Sequence, residues 1–479
     1  LLAGKQCILM DVSTEPATVT RATVETDSPS IARRRLVFAV VSIALFMAAL
    51  DQTIVATALP AIQHDLNARV NWTGWTITAY SLGQVLIMPL AGKISDQYGR
   101  KKVFLIAVVI FTVSSLLCGL AGNIYLLVAL RGLQAIGGGA FMPSATGIVS
   151  DLFGADRDRA IGLFSSIFPI GGIVGPVLGG VFVSYWSWRG IFLVNVPLGI
   201  LLFVLGTIFI PHNDARVHER LDLQGVALLG VTLLSAMLGV TFLGGGDRSF
   251  DSIGFLLPEA VAVLGAVAFL RHTWHAKAPF IPPELLYGRG FGVMNLINFL
   301  FGSAALGFGA LVPLYAEDKL GLKSLQAGTI LTARAIGMVS VAGLAVYFLR
   351  RTGYRWPMAI GFFTLAIGLF IISSGAHGFS PYGWIAFGAA VSGIGIGMST
   401  PSSNNATLQL APESAAAIAG LRGMFRQAGS ITAVSITTTV IARSTNPGVA
   451  LGHVFVIFGV IVLCSIPLIA LVPDHRGDW

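Results

Sequence analysis

Asp51 stands near the middle of the apolar stretch MAALDQTIVATALPAIQ (residues 47–63), and Arg131 stands inside another, LVALRGLQAIGGGAF (127–141). If the two stretches cross a bilayer in opposite directions, Asp51 lies about 14 Å below the outer end at Pro60 and Arg131 about 9 Å below its own outer end, at 1.5 Å per residue. The depths agree, so the side chains can meet directly or through water. Burial in hydrocarbon favours a neutral carboxyl, whereas a neighbouring guanidinium favours the carboxylate. A group balanced in this way suits reversible proton binding. The alternative is an aspartate that serves only as the permanent structural partner of the arginine. Asp51 is the sole carboxylate placed deep within an apolar stretch, because Asp151, Asp222, Glu259, Glu317 and Asp318 fall at ends.

Such chemistry requires membrane-spanning helices to position it, and the composition supplies them. Of 479 residues 55% are hydrophobic and 11% charged, with mean hydropathy +0.81. A soluble domain carries about 25% charged residues, so this chain lacks the polar surface to live in water. Apolar runs of roughly 20 residues recur from Leu36 to Val472, which predicts an all-α polytopic membrane protein. The expected spans number fourteen, at 36–60, 72–92, 103–121, 125–150, 161–184, 190–211, 222–243, 255–271, 290–316, 325–349, 357–375, 382–408, 415–442 and 450–472. Residues 1–35 read as a disordered cytoplasmic tail and 473–479 as a second short tail. The net charge of +8 belongs to alternate loops, notably Arg33–Arg35, Lys93, Arg100–Lys102 and Arg350–Arg351, and the positive-inside rule then puts both termini in the cytoplasm. A lipid bilayer, not nucleic acid, is the expected partner of that charge. Cys7, Cys118 and Cys464 are too scattered for a disulfide framework, and no histidine pair has metal-ligand spacing, so no metal is expected.

The loops GKISDQYGRKK (92–102) and LRRTGYRWP (349–357) are both short, basic and glycine-containing. Six spans placed around each give two bundles, 36–211 and 290–472, with two extra spans and linkers in 212–289. Four stretches resemble the major facilitator superfamily, and within it the fourteen-span drug/proton antiporter branch. Gly92, Asp96, Gly99, Arg100 and Lys101 match its loop signature, with Gln97 where a basic residue is usual. Gly92 permits close helix approach, Asp96 suits a neighbouring helix N-terminus, and the basic cluster suits anionic lipid. Leu127, Arg131, Gln134 and Gly137 match its buried-arginine motif. Gly162, Gly171, Gly175, Pro176, Gly179 and Gly180 reproduce the glycine pattern associated with antiporters, a smooth face bent by Pro176 that a gate could use. LDQTIVATALP (50–60) and WSWRGIFLVNVPLG (186–199) match the remaining two motifs.

The resemblance implies a proton-coupled exporter of amphipathic organic compounds, working by alternating access as a functional monomer in the cell's inner (plasma) membrane. The proton is the coupling ion and no other cofactor is expected; Asp51 and Arg131 are the candidates for coupling. Gln134, Asn295, Asn298, Arg334, Asn404, Asn405 and Arg426 are the polar residues expected to face a central cavity. Arg334, Arg422 and Arg426 either tie helices together through carbonyls or meet an anionic group of the substrate. No nucleotide-binding GxxxxGK[ST] stretch is present, which disfavours ATP coupling, and no catalytic constellation is visible. A dedicated exporter of one metabolite, lipid or siderophore is the first alternative, and a non-transporting sensor or scaffold the second.

Overall fold

The protein is represented by a computed structural model, which describes residues 31–68, 70–211, 222–243, 250–279, 281–288, 290–322, 324–375, 380–411, 414–442, 444–472 and 474. Helix α1 (Ile31–Asp65) is followed by α2 (Val70–Tyr98), α3 (Arg100–Gly119) and α4 (Ile124–Phe153). Next come two broken rods, α5 (Arg157–Ser165) with α6 (Ile167–Tyr185), and α7 (Gly190–Leu193) with α8 (Asn195–Phe209). Helices α9 (Leu223–Leu243) and α10 (Ile253–His275) form a hairpin, and the short α11 (Pro283–Tyr287) leads into the second group. That group comprises α12 (Phe291–Leu320), α13 (Ser324–Thr352), α14 (Arg355–Ser374), α15 (Pro381–Leu408), α16 (Ala415–Ala442) and α17 (Pro447–Ser465). Every expected span overlaps one of these helices or rods. Among the described residues, ten helical segments are long and apolar enough to cross a bilayer, while α9 and α12 carry shorter apolar stretches, Leu223–Gly239 and Phe291–Gly307.

Two expectations need correction. Residues 31–35 are not tail but the first turn and a half of α1, where Arg33 Nε donates to the Phe209 carbonyl at 3.1 Å; residues 1–30, 473 and 475–479 lie outside the described residues. The glycine-rich span is also broken at Ser166, a break the sequence reading lacks, while Pro176 lies within the continuous α6. Pro169 explains the position, since it has no N–H to offer the carbonyl four residues earlier, at Ser165. The same logic places the α7–α8 break at Val194, because Pro197 cannot bond the carbonyl of Leu193.

Helices α1–α8 enclose one apolar core, centred on residues such as Val41, Phe104, Phe111 and Phe141, and α12–α17 enclose another around Phe301, Phe362, Leu365 and Phe455. The bundles meet where α2 packs on α16 and where α5 and α6 pack on α13 and α15, and the α9–α10 hairpin leans on α2 and α16. Outer faces of α3, α8 and α10 expose large apolar side chains, among them Ile106, Phe203, Leu264 and Val267, as lipid-facing helices do. At the opposite end of α1 from its arginines, Asp65 accepts from Trp188 Nε1 at 3.0 Å and Arg189 Nη1 at 2.5 Å. Those bonds hold its carboxyl below the usual carboxylate range.

Within the first bundle, α6 lies against α1 through its glycines. A Cβ at Gly171 would enter Ala49 and the backbone of Leu50; at Gly175 it would strike Thr53 Oγ1, and at Gly179 Thr57 Oγ1. Thr53 Oγ1 also donates to the Gly171 carbonyl at 3.3 Å, a bond only a bare backbone lets it reach. Gly162, on α5, instead faces Val346 of the second bundle, and Gly180 faces open space. Gly175→Leu is therefore expected to cost about 1–3 kcal/mol through overpacking, read as a lowered thermal-unfolding midpoint in detergent, while Gly180→Leu keeps the wild-type midpoint. Equal midpoints for both variants would show that α1 and α6 are not locked together there.

Candidate functional site

Asp51 and Arg131 do meet. Arg131 Nη1 donates to Asp51 Oδ2 at 2.5 Å, and both side chains are essentially excluded from solvent, at 0% and 1% exposure. Asp51 Oδ1 accepts from Gln134 Nε2 at 2.9 Å and from Asn195 Nδ2 at 3.1 Å. Arg131 further donates through Nε to the Thr76 carbonyl at 3.1 Å and through Nη1 to Gln134 Oε1 at 2.6 Å, and lies 4.1 Å from the centre of the Tyr80 ring. Ser115 Oγ accepts from both Gln134 Nε2 and Asn195 Nδ2, at 3.1 and 3.0 Å, and donates to the Phe192 carbonyl at 3.0 Å. Five helices thus contribute to one dry cluster. The geometry suits one negative and one positive charge held in mutual neutralisation, with the carboxylate saturated by donors.

A second set of polar contacts joins the bundles on the side of the 93–102 loop. Asp96 Oδ2 accepts from the backbone N–H of Ala417 in the first turn of α16 at 3.3 Å, a position where a helix dipole favours negative charge. Gly92 lets α2 approach the same turn, since a Cβ there would meet the Ala416 carbonyl and Ala417 Cα. Gly99 has φ 98°, a conformation glycine permits at the sharp α2–α3 corner. Arg100 is buried and bonds Asp96 Oδ1 at 3.1 Å, Asp151 Oδ1 at 2.7 Å and the Gly147 carbonyl, while Lys101 Nζ reaches the Thr207 carbonyl at 2.8 Å. The expectation that this whole cluster sits on anionic lipid is corrected for Arg100, whose burial gives it carboxylate partners instead.

The second bundle answers with its own corner. Tyr354, between α13 and α14, donates its hydroxyl to Asp158 Oδ2 on α5 at 2.8 Å. Burial, reinforced by that carboxylate, raises the phenol above its usual range. Gln409 Nε2 donates to the same oxygen at 3.2 Å, Asn405 Nδ2 donates to the Asp158 carbonyl at 3.0 Å, and Asn404 Nδ2 donates to Ser165 Oγ. Beyond this layer lies a cavity between the bundles, lined by Leu45, Met88, Met142 and Phe168 on one side and by Arg334, Met338, Ile396 and Arg426 on the other, with Asn404 at its edge.

A sequence profile of the Major Facilitator Superfamily matches residues 41–434, and again 294–478. The chain belongs to the Major Facilitator Superfamily. Its relatives are transporters, not enzymes. It is 31% identical over 417 residues to the multidrug transporter protein MdtP of Bacillus subtilis, covering 86% of this chain and 76% of that one. It is 34% identical over 379 residues to the MFS-type efflux pump MMF1 of Pseudozyma antarctica, covering 76% and 69%. The fold is shared with the human transporter MFSD10, at a TM-score of 0.68 and 15% identity over 91% of this chain and 99% of that one.

Within this superfamily fold, the polar residues expected in the cavity divide into groups. Arg334, Asn404 and Arg426 line it. Gln134 belongs to the Asp51 cluster instead, and Asn405 to the inter-bundle layer. Asn295 Nδ2 caps the end of α11 by donating to the carbonyls of Leu285 and Leu286, at 2.8 and 3.1 Å, and Asn298 donates back to the Met294 carbonyl at 2.7 Å. Asp51 and Arg131 do not line the cavity either. Asn195 and Ser115 escaped selection as site residues, although Asn195 stood in the 186–199 motif. Ser115 carries no local signal in its apolar helix. Tyr354→Phe removes one hydrogen bond from the inter-bundle layer, worth about 1 kcal/mol. In a background without the native cysteines, a Met338→Cys reporter in the cavity is then expected to be labelled roughly fivefold faster from the 93–102 side. An unchanged labelling rate would mean that Tyr354 does not hold the bundles together.

Proposed function

We propose that this chain is a proton-coupled antiporter that exports amphipathic organic compounds by alternating access, as a member of the fourteen-span drug/proton branch of its superfamily. The observation that carries the reading is the enclosed Asp51–Arg131 cluster: a titratable acid held away from the cavity, on a helix that also lines it. Relatives named as multidrug transporter and efflux pump support the substrate class. The basic loops support a cytoplasmic position for the 93–102 side and for both termini, in the inner (plasma) membrane. In that orientation the structure is closed toward the cytoplasm. In the fourteen-span reading, α9, α12, the α5–α6 rod and α16 cross together with the ten segments of higher hydropathy.

Coupling then follows from what α1 touches. Protonating Asp51 cancels its attraction for Arg131 and weakens the bonds it accepts from Gln134 and Asn195. One partner of a buried pair left alone costs about 3–5 kcal/mol, and a proton crossing the membrane potential delivers about 2.3 kcal/mol per 100 mV before any pH gradient is added. The two are of one order, so a proton can drive rearrangement of the cluster without unfolding it. Helix α1 carries Asp51 on one face, Leu45 in the cavity and Ala49, Thr53 and Thr57 against the glycines of α6. A shift of α1 along that smooth face reaches α5, where Gly162 and Ser165 meet the second bundle. Exchange of proton for substrate is thereby tied to opening and closing of the inter-bundle layer.

Asp51→Asn keeps the shape of the side chain and one acceptor oxygen but cannot carry a proton. In proteoliposomes the variant is expected to lose accumulation of fluorescent amphipathic compounds driven by a pH gradient, while equilibrium exchange of the same compounds across the membrane persists. Retained uphill accumulation would remove Asp51 from the coupling mechanism.

A further inference from the structure

The two bundles treat their interior arginines differently, Arg334 and Arg422 being buried and Arg426 half-buried in the second. In the first, Arg100 and Arg131 each bind a carboxylate. In the second, Arg422 and Arg426 stand one helical turn apart on α16, Arg426 lies within electrostatic reach of both Arg422 and Arg334, and neither Arg422 nor Arg426 forms an ion pair among the described residues. Arg334 and Arg426 line the central cavity, and no acidic residue is among the described residues that line it. The Arg426 guanidinium lies 5.2 Å from the centre of the Phe301 ring, and among the described residues neither its Nε nor Arg422 Nη1 has a hydrogen-bond partner. Arg334 donates through Nη2 to the Ala305 carbonyl, which orients it. Concentrated positive charge away from water is stable only when a counter-charge or strong acceptors answer it. Carbonyl ties do not account for the N–H groups at Arg422 Nη1 and Arg426 Nε, which have no partner among the described residues.

We propose that the cavity takes amphipathic organic anions, with a carboxylate or sulfonate head on Arg426, the charges of Arg334 and Arg422 behind it, and the apolar body among Leu45, Met88, Phe168, Met338 and Ile396. The inference deepens the export reading and rests on it only in taking the cavity for the substrate path. The chemistry of the lining selects the ligand. A guanidinium offers paired N–H donors matched to a planar carboxylate or a sulfonate face, and a surrounding apolar wall raises the strength of that pairing. Ser166 and Gln427 supply further polar contacts at the wall. A cationic compound of the same shape would meet repulsion from three guanidinium groups and find no carboxylate in the described lining. Asp51 is engaged by Arg131, Gln134 and Asn195 inside the first bundle and does not line the cavity.

The test is equilibrium binding of 1-pyrenebutyrate and of its trimethylammonium counterpart, which share one apolar body and differ in head-group charge. The full chain is held in lipid nanodiscs, and signal from empty nanodiscs is subtracted. Wild-type protein is expected to bind the carboxylate at least about tenfold more tightly than the cation, the size of one hydrogen-bonded charge contact. Arg426→Gln is expected to shrink that preference severalfold, by weakening the carboxylate and easing repulsion of the cation, and Arg426→Lys to restore most of it, which a merely misfolded variant would not allow. Equal affinities for the two probes in wild type, or an Arg426→Gln variant that binds the carboxylate as wild type does, would overturn the proposal. Binding is read without a pH gradient. Failure of proton coupling would therefore leave this result standing, and failure here would leave export of neutral or cationic compounds standing.

Discussion

The fold of the first bundle is organised around a single constraint, that a carboxylate and a guanidinium buried in an apolar interior must find each other. Burial of either alone is costly, and burial of both is better tolerated the more of their lone pairs and N–H groups are directed at partners. Asp51, Arg131, Gln134, Asn195 and Ser115 meet most of that demand from four helices, and the Thr76 carbonyl adds a fifth. The break at Val194 serves the same end, because it sets the register at which Asn195 enters the cluster. Close approach of α6 to α1, made possible by glycine, keeps the helix that carries Asp51 in a fixed track rather than a deformable pocket.

The inter-bundle layer has a pseudo-symmetric logic. From the first bundle, Asp96 at the end of α2 reaches the N-terminus of α16; from the second, Tyr354 at the end of α13 reaches Asp158 near the N-terminus of α5. Each corner turns at a glycine with positive φ, Gly99 at 98° and Gly353 at 72°. Polar contacts of this kind are individually weak, about 1 kcal/mol each, so the layer can hold a closed state and still release it. The buried cluster and the layer are connected mechanically through α1 and the α5–α6 rod, whose break at Ser166 lies beside the bond from Asn404 to Ser165.

Much of this was legible in the sequence, and the parts that were not share a cause. Hydropathy placed each helix, and depth arithmetic alone brought Asp51 opposite Arg131. Gln134 enters through the buried-arginine motif that the chain resembles, but the structure turns it to the Asp51 cluster rather than the cavity, since the direction of that face depends on which neighbour lies behind. Asn295 was misread for a similar reason: its partners belong to α11, a five-residue helix without periodic signal. The basic loop showed its charges and hid Asp151, which comes from a distant helix and draws Arg100 inward. Sequence spacing reports what lies along one helix, and cross-helix register is set by breaks such as those at Ser166 and Val194.

In the proposed mechanism Asp51 takes up and releases the coupling proton inside this cluster. Infrared difference spectroscopy of the purified protein in lipid, recorded across a pH titration, reads the carbonyl stretch of a protonated carboxyl directly. The expected band grows as pH falls, shifts in Arg131→Lys, where the partner of the carboxyl is changed, and is absent in Asp51→Asn. The same band, unchanged in Asp51→Asn, would contradict that mechanism.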